Sequence, residues 1–168
     1  GHHDSLIEDL TGVDVHRLDA SLGFEHFASE VHKMLTDNGF GAFYVFDSLT
    51  SLLYTWRSDL AVGNFFRVTC PYLFELDTVA YSGLIRREHT FAPLAMIRDT
   101  TQLLLDVYLI RGETYVHPLK VWLRHSPTMF FPHLLSGTEA NPITSSEATA
   151  RLFASASLRV DPPDHWHR

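Results

Sequence analysis

Apolar residues recur along this chain at two spacings, and the switches between them outline its elements. VDVHRL alternates apolar and polar positions, which predicts a short strand over Val13–Leu18. Phe24, Phe27, Val31, Met34 and Leu35 then recur at helical spacing, so Leu22–Asn38 predicts an amphipathic helix that Asn38-Gly39 stops. Ala42–Phe46 is a continuous apolar run and predicts a buried strand, central in its sheet and ending at Asp47. A helical region follows from Leu52 to about Leu76, with a kink or break expected at Pro71. Thr78–Ile85 predicts a strand, and Phe91–Arg98 a helix with Pro93 in its first turn. Thr101–Ile110 and Thr114–Arg124 predict two long strands joined as a hairpin through Arg111-Gly112-Glu113.

Strands alternating with helices in the order β-α-β-α-β-α-β-β imply an α/β fold. The expected sheet is mostly parallel, covered by helices on both faces and closed by an antiparallel hairpin. Pro118 places the last strand at an edge, because proline has no N–H for a neighbour. This reading gives one α/β domain over residues 1–133, incomplete at its N-terminus. From Ser136 the composition turns small and polar, so residues 134–168 are expected as a linker or tail, with a short helix over Ser146–Ala154.

Bulk composition narrows the functions. The 168 residues suffice for one domain with a real core. The formal charge is −7 without a clustered Lys/Arg run, so duplex DNA and anionic membrane surfaces are poor partners. Cys70 is the single cysteine, which excludes an intrachain disulfide and a paired-cysteine metal site and suits a cytoplasmic setting. No apolar run approaches the roughly 18 residues of a transmembrane helix.

Candidate chemistry starts at Asp47, a carboxylate closing the apolar stretch GAFYVF and followed by the hydroxyl of Ser48. Two readings stand: a cap on the next helix, or the strand-end aspartate with which nucleotide-hydrolysing folds hold magnesium. Open parallel sheets gather ligands at the carboxyl ends of their strands, and the same rule brings Arg86, Arg87, Glu88 and His89 beside Asp47. His2-His3-Asp4 would join that rim after a further strand. A second cluster lies on the last strand, where Lys120, Trp122 and Arg124 alternate with Leu119, Val121 and Leu123. Such a cationic face either reaches a neighbouring subunit's phosphates or simply protects an edge strand. The eleven histidines form no zinc-ligand pattern, and no nucleophile elbow surrounds Cys70.

FYVFDSLTSLL, the run from Asn64 to Gly112 and YVHPLKVWLRHSPTMFFPH together resemble the KaiC-like, RecA-type domain near the N-terminus of bacterial proteins related to phosphoenolpyruvate synthase and pyruvate phosphate dikinase. The resemblance implies that Asp47 matches the magnesium-holding aspartate and Ser48 the hydroxyl after it. It also implies that Lys120, with Arg124, matches a strand approaching a neighbour's nucleotide, although the family spacing is Lys-x-Arg. ATP with magnesium is the ligand so implied, with Arg86 and Glu88 on the nucleotide rim. The family's phosphate cradle, GxxxxGK[ST], does not occur, and the place of its catalytic glutamate reads Gly1-His2-His3-Asp4.

Three functions follow as expectations. The first is a degenerate RecA/KaiC-like module serving regulation or assembly of a larger phosphotransferase-type protein. The second is part of an active ATPase whose phosphate loop lies upstream, and the third is a non-hydrolytic small-molecule sensor. The expected partners are a second copy, through Trp122 or the surface around Phe65 and Phe66, or downstream domains of the same protein.

Overall fold

The computed structural model describes residues 12–158. The chain divides into two compact units, with the boundary between Thr100 and Thr101.

The first unit opens with a 3₁₀ turn, Ala20–Leu22, and then runs α1 Phe24–Asn38, β1 Phe43–Phe46, α2 Leu49–Trp56, α3 Asp59–Glu75, β2 Val79–Ser82, a 3₁₀ turn Arg86–Glu88 and α4 Phe91–Thr100. α1 follows its apolar periodicity: Phe27, Val31 and Leu35, spaced one turn apart, are its buried residues. They meet Leu49, Leu52, Val62, Phe65, Leu73 and Ile97 in one core. Trp56 closes one side, its ring edge-on to Phe24, Phe27 and Phe65 and its indole N–H donating to Ala20 O at 2.9 Å.

β1 and β2 pair in parallel, Phe43 with Val79 through Phe46 with Ser82. Tyr44, Phe46 and Ala80 pack against the core. Because side chains alternate across a strand, Phe43, Val45, Val79 and Tyr81 point the other way, and they keep between 48% and 69% of their surface exposed. Parallel strands are normally covered on both faces, so this two-stranded sheet has an uncovered apolar side.

The second unit is an antiparallel meander, β3 Leu103–Ile110, β4 Glu113–Val121, β5 His133–Ser136 and β6 Glu139–Pro142, followed by α5 Ser146–Leu158. Arg111 and Gly112 form the first hairpin turn with φ of 54° and 84°, the left-handed pair that suits a two-residue connection. α5 lies on one sheet face, where Phe153 meets Tyr108 and His117 and where Leu152 and Ile110 are buried.

Several expectations need correction. The chain is mixed α/β, but its strands form a parallel pair and an antiparallel group of four, not one mostly parallel sheet. β1 therefore has a single described neighbour and is not a central strand. Residues 13–18 are not a strand, because alternation makes a segment extended but only a partner makes it a strand. The helical region breaks at Arg57-Ser58, not Pro71. Arg57 takes a left-handed φ of 51° and Ser58 caps α3 by accepting from Ala61 N. Pro71 and Arg67, one turn earlier, both face solvent, so water can satisfy the carbonyl that proline leaves unpaired. Pro118 lies in a strand with neighbours on both sides, yet β5 pairs only with Thr114–Val116, and a bulge opens where Leu104 and Leu105 change register. Residues 134–158, expected as linker, hold β6 and α5, with the helix expected over Ser146–Ala154 present and longer. Their small polar residues make an exposed edge hairpin rather than a spacer.

α3 and α4 approach most closely at Gly63, where an added Cβ would sit 3.0 Å from Pro93 Cα and Cβ and 3.1 Å from Met96 Sδ. Pro93 is fully buried and cannot give way. Gly63→Ala should therefore destabilise the protein by about 1–3 kcal/mol in denaturant titration, since overpacking outweighs the helix propensity gained.

Candidate functional site

Parallel pairing decides which polar residues meet. β1 and β2 run the same way, so their carboxyl ends coincide and Asp47 emerges beside Gly83. Gly83 N–H donates to Phe46 O at 3.2 Å and Leu49 N–H donates to Gly83 O at 2.8 Å, which fixes the start of α2 against the end of β2. The Asp47 side chain is exposed, while Ser48 is committed to α2: its hydroxyl accepts from Ser51 N, and Ser51 Oγ accepts from Ser48 N. The cap role weighed for Asp47 thus belongs to Ser48.

The segment after β2 continues the rim. Arg86 opens its 3₁₀ turn and Glu88 closes it. Glu88 accepts a hydrogen bond from the Tyr54 hydroxyl of α2 at 2.8 Å, and that bond to a carboxylate raises the Tyr54 phenol above its ordinary pKa. His89 turns inward. Its side chain is fully buried, with Nδ1 2.7 Å from Asp59 Oδ1 and Nε2 3.0 Å from Thr50 Oγ1. Thr90 donates both its N–H and its hydroxyl to Asp59 Oδ2, at 2.5 and 2.7 Å.

Hydroxyl, imidazole and carboxylate in line have the connectivity of a nucleophile, base and orienting acid. Burial rules out that chemistry here. Thr50 is only 2% exposed, and its oxygen already accepts from Ile85 N–H at 2.8 Å. The relay therefore ties the rim to α2 and α3 rather than attacking a substrate.

Asp47 and Ser48 thus leave the parallel pair beside Gly83, while Arg86 and Glu88 bound the 3₁₀ turn that follows β2 and Glu88 reaches Tyr54 of α2. Lys120 and Arg124 belong to the second unit. The strand face proposed for them does not form. The bulge near Pro118 shifts the alternation, so Lys120 pairs with Leu104 on the face of Tyr108 and His117, and β4 ends at Val121. Arg124 lies beyond the strand, past Leu123 with its left-handed φ of 55°. His2, His3 and Asp4 lie outside the described residues. Of the contact candidates, Phe65 is 2% exposed, Phe66 is partly buried against the core and Trp122 is half exposed.

Asp47 would offer a magnesium ion a single carboxylate, but Ser48 is engaged as a cap, and no group of three or more ligating side chains occurs among the described residues. With no phosphate cradle in the sequence, the site does not fit nucleotide with magnesium as a self-contained centre. No described helix is long and apolar enough to cross a membrane. Compared with known proteins, the chain matches no family model and no curated sequence.

The sequence pointed to His89 but not to its partners. Asp59 stands 30 positions away and Thr50 39, and only the strand pairing brings them together. The one local signal was Ser58-Asp59, a helix start with an acid in its first turn.

Burial pushes the Asp59 carboxyl up, but hydrogen bonds from Thr90 and His89 outweigh it and hold the pKa below the ordinary 3.8. A depressed carboxyl stabilises the fold above its unfolded pKa, and that stability fades as pH falls through the folded value. Asp59→Asn sets an N–H₂ against either the two Thr90 donors or His89 Nδ1–H. It should cost about 1–3 kcal/mol at neutral pH in chemical unfolding. The gap to wild type should narrow below pH 3.8, and a gap independent of pH would contradict the assignment.

Proposed function

We propose that this chain is a RecA/KaiC-like module without hydrolytic machinery of its own, serving assembly or regulation within a larger phosphotransferase-type protein related to phosphoenolpyruvate synthase. The resemblance of the segments around Asp47 and after Asn64 supports the family reading, and so does the parallel pair with a carboxylate at its end. The observation that carries the assembly reading is the uncovered side of the β1–β2 sheet. Phe43, Val45, Val79 and Tyr81 form an uncharged apolar surface, and the Phe43 and Tyr81 rings lie 5.5 Å apart across it. Contiguous apolar surface of this kind marks a contact site. A second copy is the simplest occupant, since a two-fold contact matches a surface to itself. The net charge of −7 keeps such copies apart everywhere except at a neutral patch.

Two outcomes follow. The purified chain should not turn over ATP with magnesium, and turnover that disappears in Asp47→Ala would refute the non-hydrolytic reading. In light scattering at roughly tens of micromolar, where a modest apolar contact is populated, the wild-type chain should give a dimer mass. Val45→Glu, which leaves the core untouched, should give a monomer. A monomeric wild type would end the self-assembly reading.

A further inference from the structure

Residues 83–90 carry most of the rim yet have little regular structure to hold them, only the 3₁₀ turn Arg86–Glu88 between β2 and α4. What fastens them are bonds to two helices. Ile85 N–H donates to Thr50 of α2, and Thr90 donates twice to Asp59 of α3. His89 joins the two helices by reaching Thr50 with one ring nitrogen and Asp59 with the other. A single buried imidazole thus links α2, α3 and the strand-end segment.

Counting donors fixes its form. The Asp59 carboxyl is held ionised and only accepts, so His89 Nδ1 carries a proton. Thr50 Oγ1 accepts from Ile85, and its own proton has one described acceptor, His89 Nε2, which must then be bare. The opposite tautomer would set a ring lone pair against a carboxylate and leave the Thr50 hydroxyl proton buried with no acceptor. Both faults are costly in a side chain that is 0% exposed.

We infer that His89 is a positioning residue for the rim. With Nδ1–H donating to Asp59 and Nε2 accepting from Thr50, it latches residues 85–90 to α2 and α3 and so keeps Glu88 against Tyr54. This inference goes beyond the assembly reading, which concerns the outer side of the same two strands. The latch itself is a property of the folded chain and needs no ligand.

The full chain tests it by NMR at neutral pH. The His89 ring should show a protonated Nδ1 and a bare Nε2. Thr50→Val keeps the shape and removes the hydroxyl. It should speed exchange of the Ile85 amide roughly ten-fold or more, the scale of one lost buried hydrogen bond, while amides in the middle of α1 keep their rates. The same variant should move the Nε2 signal, and Thr50→Ser should restore both readouts. An Nε2–H tautomer or an imidazolium would overturn the proposal. So would an Ile85 exchange rate within about two-fold of wild type in Thr50→Val, a rise shared equally by α1, or a failure of serine to rescue. These readouts stay decisive even if the chain binds no nucleotide and remains monomeric, so the latch and the proposed function fail separately.

Discussion

The parallel pairing of β1 with β2 is the constraint on which the rest of the first unit depends. Two parallel strands cannot be joined by a tight turn, so the chain must cross over, and the crossover here holds α2 and α3. Those helices bring Leu49, Leu52, Val62 and Phe65 onto one side of the strands and build the core with α1. The same crossover fixes the polar geometry. It sets Thr50 and Asp59 on the two helices that flank the exit of β2, where His89 can reach both. It also explains why Asp47 and Gly83, 36 positions apart by their numbers, leave the sheet at the same end.

What the pairing leaves undone is equally informative. Helices cover one side of the sheet, and the alternating residues on the other side are as apolar as those inside. A chain with only solvent to face at those positions would be expected to place polar residues there, as exposed sheets do. Phe43, Val45, Val79 and Tyr81 instead continue the composition of a buried strand. In the second unit too a helix covers one face, α5 with Leu152 and Phe153, while Val107 and Leu109 on the other face of β3 are exposed.

Legibility tracked the range of the forces involved. α1 and the β3–β4 hairpin were readable because periodicity and the Arg111-Gly112 turn are local signals. The stop at Arg57-Ser58 was not, because the apolar pattern runs through it and Pro71 drew attention to the wrong place. β1 was read as central because FYVF is apolar on both sides, and sequence pattern alone cannot say which neighbours a strand finds. In the site, the exit of Asp47 at the carboxyl end of its strand followed from the strand-end rule, whereas Glu88 and His89 turn to Tyr54, Thr50 and Asp59. Asp59 and Thr50 were hidden by separation along the chain, and the bulge that moves Lys120 to the other face has no reliable mark in the sequence.

The claim at the centre is that the outer side of the parallel pair is a contact surface. Hydrogen exchange of the full chain as a function of its concentration tests this most directly. Amides of Phe43–Phe46 and Val79–Ser82 should gain protection as concentration rises through the range of self-association, while those of α1, buried in the core of the same unit, should not change. Equal protection of both strands at every concentration would contradict the claim.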